Sequence, residues 1–284
     1  MMVNRSALLP VLTGHKIKSV SELSKIEKFE KQYESEFVMK LISNVCYGKA
    51  KHPEQYLDIY LPEKDSFRVV VYMHGGGLEG GDKSYASAVG EYLASQGVAF
   101  VTINYRMYPQ AMYPQFVCDA AEAVAWVYKN IGEYGKCEGI YIGGSSAGGY
   151  LSMMLCFDDK YLSPYRVPAD IIKGYIHDAG QPTTHFNVLR ERGIDKRRVI
   201  VDEAAPLFHI GKVESYPPML FIVSDNDLKN RYEQTQLTIS TLKHFEYDES
   251  KIFYRLMNGK HCHYSRSEEF GKIIYEFICT VSSM

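Results

Sequence analysis

The sequence is short of the features that mark several large protein classes. Its 32 Lys and Arg against 34 Asp and Glu leave a formal net charge of −2 over 284 residues. That balance holds no basic excess to neutralise a run of phosphates, so nucleic acid is not an expected partner. No apolar run approaches the ~20 residues that a membrane-spanning helix needs. Six cysteines, Cys46, Cys118, Cys137, Cys156, Cys262 and Cys279, are scattered without a C-x-x-C pair, which argues against a disulfide scaffold or a zinc ribbon. Cys118 and Cys156 fall in stretches that read as buried helix, where a thiol acts as a small hydrophobe. There is no internal repeat and no low-complexity tract. Met1 to Pro10, with one Arg and a proline-broken apolar stretch, is too short for a signal peptide, and a reducing cytoplasm is the expected compartment.

What is present is 46% hydrophobic residues, enough for one sizeable core or a core with a small cap. Ser24-Lys25-Ile26-Glu27 reads as a capping box ahead of Phe29, Tyr33, Phe37 and Leu41 at four-residue intervals, an amphipathic helix. It predicts a helical extension over 1–44 that either plugs a core edge or roofs the site. Tyr56 to Leu61 alternates as a half-buried strand, and Arg68 to Met73 reads as a fully buried one. A helix over about Tyr85–Ser95 and a strand over Gly97–Ile103 follow. Phe116, Ala120, Val124, Val127 and Ile131 then share one helical face. Strands separated by helices of this length predict an α/β fold with a mostly parallel sheet covered on both faces. Later strands are expected over Ile171–Ile176, Pro218–Val223 and Lys251–Leu256. Ser265-x-x-Glu268 should cap a last helix with Phe270, Ile273, Ile274, Phe277 and Ile278 on one face. The rhythm breaks over about 181–215, where Phe186, Val188, Leu189, Val199 and Ile200 favour a small lid over a plain loop.

Chemistry concentrates at four places. Tyr141-Ile142-Gly143-Gly144-Ser145-Ser146-Ala147-Gly148-Gly149 reads as strand, sharp turn and helix. Gly144-x-Ser146-x-Gly148 would lift the Ser146 hydroxyl clear of the sheet. Alone, such a pattern arises by accident in roughly one chain in ten of this length, so its context must carry it. His74-Gly75-Gly76-Gly77 follows a buried strand and leaves backbone N–H groups unshielded, as a developing oxyanion requires. Ser224-Asp225-Asn226-Asp227 ends a later strand, and Asn258-Gly259-Lys260-His261-Cys262-His263 ends the last. In a parallel sheet the carboxyl ends of the strands open on one edge, so these four features converge.

These residues, with Leu57 to Pro62, Asn104-Tyr105-Arg106 and Tyr216-Pro217-Pro218-Met219, resemble the α/β-hydrolase fold from about Val45 onward. Within it they resemble the HGGG-bearing esterases and lipases related to hormone-sensitive lipase, and small acetylesterases. The elbow residue before the serine, often Asp in those relatives, is Ser145 here, and the acid loop has Ser224 where a glycine is usual. The resemblance implies Ser146 as nucleophile, His261 as base and Asp227 as the acid that orients it. It further implies an oxyanion hole from the N–H groups of Gly76, Gly77 and Ala147, each such donor contributing about 3 kcal/mol. An imidazole with an unperturbed pKa near 6.5 suits the base's task. Asp225 rivals Asp227, but spacing from the strand end favours Asp227. His263 rivals His261, whose place two residues after Gly259 favours it. A metal site on His261-Cys262-His263 lacks a second ligand pair, and no cofactor is implied. The expected catalytic domain is 45–284, a serine hydrolase of short, acetyl-type esters, including those of sugars. Amide cleavage of the arylformamidase or small-peptide type, or a non-catalytic binding protein on the same fold, are the alternatives.

Overall fold

The computed structural model describes residues 39–49 and 51–284. The capping box at Ser24 and the apolar positions Phe29, Tyr33 and Phe37 lie outside the described residues.

Among the described residues eight strands form one sheet. They are β1 (Lys40–Cys46), β2 (Tyr56–Leu61), β3 (Ser66–Met73), β4 (Val98–Ile103), β5 (Lys136–Ser145), β6 (Ile172–Asp178), β7 (Met219–Asn226) and β8 (Ile252–Lys260). Their order is β1-β2-β4-β3-β5-β6-β7-β8. β1 and β2 run antiparallel to their neighbours and the other six are mutually parallel. Helices α1 (Ser87–Ser95), α2 (Gln115–Asn130), α3 (Ala147–Phe157), α4 (Phe186–Glu191), α5 (Pro206–His209), α6 (Arg231–His244) and α7 (Glu268–Ser282) complete the fold. Among the described residues no helix is long and apolar enough to cross a membrane.

β3 shows why both faces are covered. Val69, Val71 and Met73 join the core that includes Phe116, Ala120 and Val124 of α2 and Leu151 of α3. Val70 and Tyr72 point to the other face, with Val89 and Leu93 of α1 and Phe270, Ile274 and Phe277 of α7. Period-two alternation thus feeds two cores, and each large apolar side chain so buried contributes about 1.5–3 kcal/mol.

Several local expectations are corrected. Leu41 does not continue a helix: it is an exposed residue of β1, so the sheet begins inside the stretch assigned to the extension. This edge strand buries none of its residues and carries a bulge between Ile42 and Val45, with Asn44 at φ 58°. Both features erase the alternation that marks a strand. β2 is almost wholly buried rather than half-buried. Its Asp58 is matched by Lys83 at 2.8 Å, as a buried charge requires. Cys118 is exposed on α2. The cap of α7 is Ser267, which accepts from the Phe270 N–H; Ser265 lies in the preceding turn, its hydroxyl donated to the Cys262 carbonyl at 2.8 Å.

Candidate active site

The carboxyl ends of β3, β5, β7 and β8 meet around one serine. β5 ends at Ser145, α3 begins at Ala147, and Ser146 between them holds φ 56° and ψ −112°. A left-handed serine of this kind carries about 1–3 kcal/mol of strain, sustained only where its surroundings over-determine it. Two constraints do so. The Ser146 N–H donates to the Asp178 carbonyl at 2.7 Å, and α3 starts so close to β3 that a Cβ on Gly148 would stand 2.0 Å from the Met73 carbonyl oxygen.

Ser146 Oγ lies 2.8 Å from His261 Nε2, and His261 Nδ1 lies 2.5 Å from Asp227 Oδ1. His261 follows β8 directly and its side chain is 20% exposed, whereas that of Asp227 is 1% exposed. Burial works to raise the Asp227 pKa. The His261 hydrogen bond and charge, with the N–H groups of Ser224 and Leu228, outweigh it and hold the carboxyl below its ordinary value. An ionised carboxylate on Nδ1 fixes the tautomer that leaves Nε2 free to accept a proton. The rivals are engaged elsewhere. Asp225 is exposed and accepts from the Gly259 N–H at 2.7 Å, and His263 is exposed with Nδ1 on the Lys260 carbonyl at 2.9 Å. Among the described residues no three His, Cys, Asp or Glu side chains gather as metal ligands.

The glycine loop lies across the cleft. A Cβ on Gly75 would be 3.2 Å from Ser146 Cβ, and Gly76 at φ 128° has no room for one, since the Gly80 carbonyl oxygen would be 1.8 Å away. The loop is held from three sides. Glu79 and Gly80 donate to the Gly76 carbonyl at 3.1 Å, Tyr105 OH donates to the His74 carbonyl at 2.9 Å, and Asn187 Nδ2 donates to the Gly77 carbonyl at 2.9 Å. Among the described residues no acceptor engages the N–H of Gly76, Gly77 or Ala147. Ala147 adds the positive end of α3. His74 is buried, stacked on Tyr105 at 4.5 Å, and linked through Nδ1 to the Gly75 carbonyl at 2.7 Å.

The segment 181–215 folds as α4 and α5. Phe186 sets its ring against Gly77, and Arg190 pairs with Glu79 and lies over the Tyr108 ring at 4.6 Å. Val188 and Leu189 are buried, while Val199 is 58% exposed.

Three further residues border the site; sequence reasoning noted Ser224 without giving it a contact, and did not single out Arg231 or Asp178. Ser224 donates its N–H to Asp227 and its hydroxyl to the Lys260 carbonyl at 3.1 Å, linking the Asp227 loop to the His261 loop. Arg231 is buried near Asp227 and Cys262, and burial holds its guanidinium down to about 10. Asp178, at the carboxyl end of β6, lies wholly buried under the elbow. A charged residue at the carboxyl end of a parallel strand was the signal available for it.

The comparisons with known proteins agree with this architecture. Residues 57–163 match the profile of the BD-FAE family. A probable isoprenylcysteine alpha-carbonyl methylesterase ICME of Oryza sativa subsp. japonica is 32% identical over 119 residues, 41% of this chain and 28% of that protein. Esterase LipC of Mycobacterium tuberculosis is 26% identical over 223 residues, 70% of this chain and 54% of its own. The chain therefore spans just over a quarter and just over half of these two relatives. A truncated form of a carbohydrate esterase from gut microbiota superposes with a TM-score of 0.72 at 20% identity, covering 88% of this chain and 98% of that one. The fold is the α/β-hydrolase fold that these esterases share.

Proposed function

We propose that the chain is a serine hydrolase of carboxylic esters working through an acyl-enzyme. The observation that carries this reading is the unbroken chain from Ser146 Oγ through His261 to a buried, ionised Asp227. A free hydroxyl is a poor nucleophile, so His261 Nε2 takes its proton as Oγ attacks the ester carbonyl carbon. The N–H groups of Gly76, Gly77 and Ala147 receive the oxyanion, and Asp227 balances the imidazolium. His261 then returns the proton to the departing alcohol, and water repeats the sequence to free the acid.

Short acyl groups, acetyl first, fit the phenyl ring that Phe186 holds over the glycine loop and the shortness of the 181–215 insert. The carbohydrate esterase with the same fold lends support to a sugar alcohol as leaving group. All six cysteines are free thiols, which suits a reducing cytoplasm. Aryl esters from acetate to octanoate, with a formanilide for comparison, test the reading. Acetate should lead, and Ser146→Ala should lose at least ~10³-fold in kcat/KM. Equal turnover by parent and variant would refute it, and a formanilide preferred to acetate would move it to amide cleavage.

A further inference from the structure

Beneath Ser146 and His261 lies a carboxylate that the triad does not use. Asp178 closes β6 directly opposite Ser145. Its Oδ2 accepts from the Ser145 hydroxyl and its Oδ1 from the Tyr264 hydroxyl at 2.6 Å. Ser145 has one proton and gives it to Asp178, so the Tyr72 hydroxyl, 2.5 Å away, must be the donor to Ser145 Oγ. All four side chains are buried. Ser145 immediately precedes the nucleophile, and Tyr264 follows the base by three positions. The carboxylate thus ties together the two loops whose relative position sets the 2.8 Å contact between Ser146 and His261. The serine before the nucleophile thus reaches a carboxylate on the next strand.

The groups facing Asp178 are Tyr72 of β3, Ser145 of the elbow, Asp227 after β7, and His261, Cys262 and Tyr264 after β8. Arg231 acts on Cys262 and Arg266 on Tyr72. No cationic side chain among the described residues forms an ion pair with Asp178. Burial pushes its pKa up to about 6, while Ser145, Tyr264 and His261 favour the ion. At neutral pH it is therefore a buried anion that accepts from two hydroxyls, beside a ring that becomes positive during the reaction.

We propose that Asp178 is a positioning residue for this site: through Ser145 and Tyr264 it holds nucleophile and base in register, and its charge stabilises the His261 imidazolium. The inference rests on the proposed roles of Ser146 and His261. Asp178→Asn keeps the size of the side chain and removes the charge. The test is the pH profile of kcat/KM on an aryl acetate between about pH 5 and pH 8, whose acid limb reports protonation of the free enzyme. Asp178→Asn should lower kcat by about tenfold or more with KM little changed, and move the acid limb down by about one unit, because an anion that favoured the imidazolium is gone. Tyr264→Phe keeps the charge but removes a donor to it. Asp178 then becomes harder to ionise, so less of its charge faces the imidazolium, and the acid limb should again move downward, by less than in Asp178→Asn. A merely structural role moves neither limb. Unmoved limbs, or an upward shift in either variant, would overturn the inference whatever the loss in amplitude. If Asp178→Asn does not fold, the direction of the Tyr264→Phe shift decides alone. An inactive Ser146→Ala with unmoved limbs removes only this inference, whereas a Ser146→Ala as active as the parent removes the reading beneath it.

Discussion

At position 146 a strained serine, an imidazole and a buried carboxylate meet within hydrogen-bonding distance. The residue types were legible in the sequence because each chemistry admits few of them: a glycine-flanked serine on a bend, and a histidine and an acid after late strands. The choice between neighbours was less legible. Asp225 and Asp227 differ by two positions, and a β-strand alternates faces, so what separates them is where β7 stops pleating and turns back on its own Ser224 N–H. Asp227→Asn should lower kcat by about 10²–10⁴-fold, since the amide offers Nδ1 the wrong tautomer. Asp225→Asn should stay within a few-fold of the parent. Steady-state turnover of an aryl acetate distinguishes them, and the reverse order would reassign the acid.

At the scale of elements, the elbow is a packing problem before it is a chemical one. α3 starts against β3 with no space for a methyl group at 148. Gly148→Ala should therefore push the helix away, destabilising the fold by about 1–3 kcal/mol and lowering activity through the displaced Ser146. Retained stability and turnover would show that the approach is not required. At the other end of the chain Ser267, not Ser265, caps α7. Ser267→Ala should cost about 1 kcal/mol and Ser265→Ala less, read as shifts in the urea midpoint. The capping-box pattern pointed to Ser265, with Glu268 three residues on, whereas the actual cap Ser267 has Phe270 at that place. The turn over 261–266, which the His261 loop imposes, selected between them. β1 shows the converse: an edge strand buries too little to print an apolar rhythm on the sequence.

Across the described residues, four buried imidazoles make the fold acid-sensitive. Burial holds His74 down to about 4 and His177 to about 3, together with Arg231 it holds His185 well below its ordinary value, and it lowers His209. Each takes up a proton only on unfolding, so stability should begin to fall below about pH 6.5 and keep falling toward the native values. At pH 5 His74 and His177 each contribute a loss of about 2 kcal/mol. Asp178 acts in the opposite direction. Its raised pKa lets the native state bind a proton that the unfolded chain has released, recovering about 1 kcal/mol at the same pH. The net loss is a large part of the 5–15 kcal/mol typical of domains. The urea midpoint should be clearly lower at pH 5 than at pH 7, and an equal or higher midpoint at pH 5 would mean these histidines are protonated in the native state.

The sequence by itself determined the fold class, because alternating buried strands and one-faced helices can be covered only as a parallel sheet between two helical layers. It also named the residue types of the site, because the carboxyl ends of parallel strands share an edge. The tertiary structure alone decided which neighbour in each pair reaches the serine, and that Asp178, Ser145, Tyr72 and Tyr264 form one buried network. Those contacts join β3, β5, β6 and the loop after β8, and spacing along the chain carries no record of distance between segments that only the folded sheet brings together.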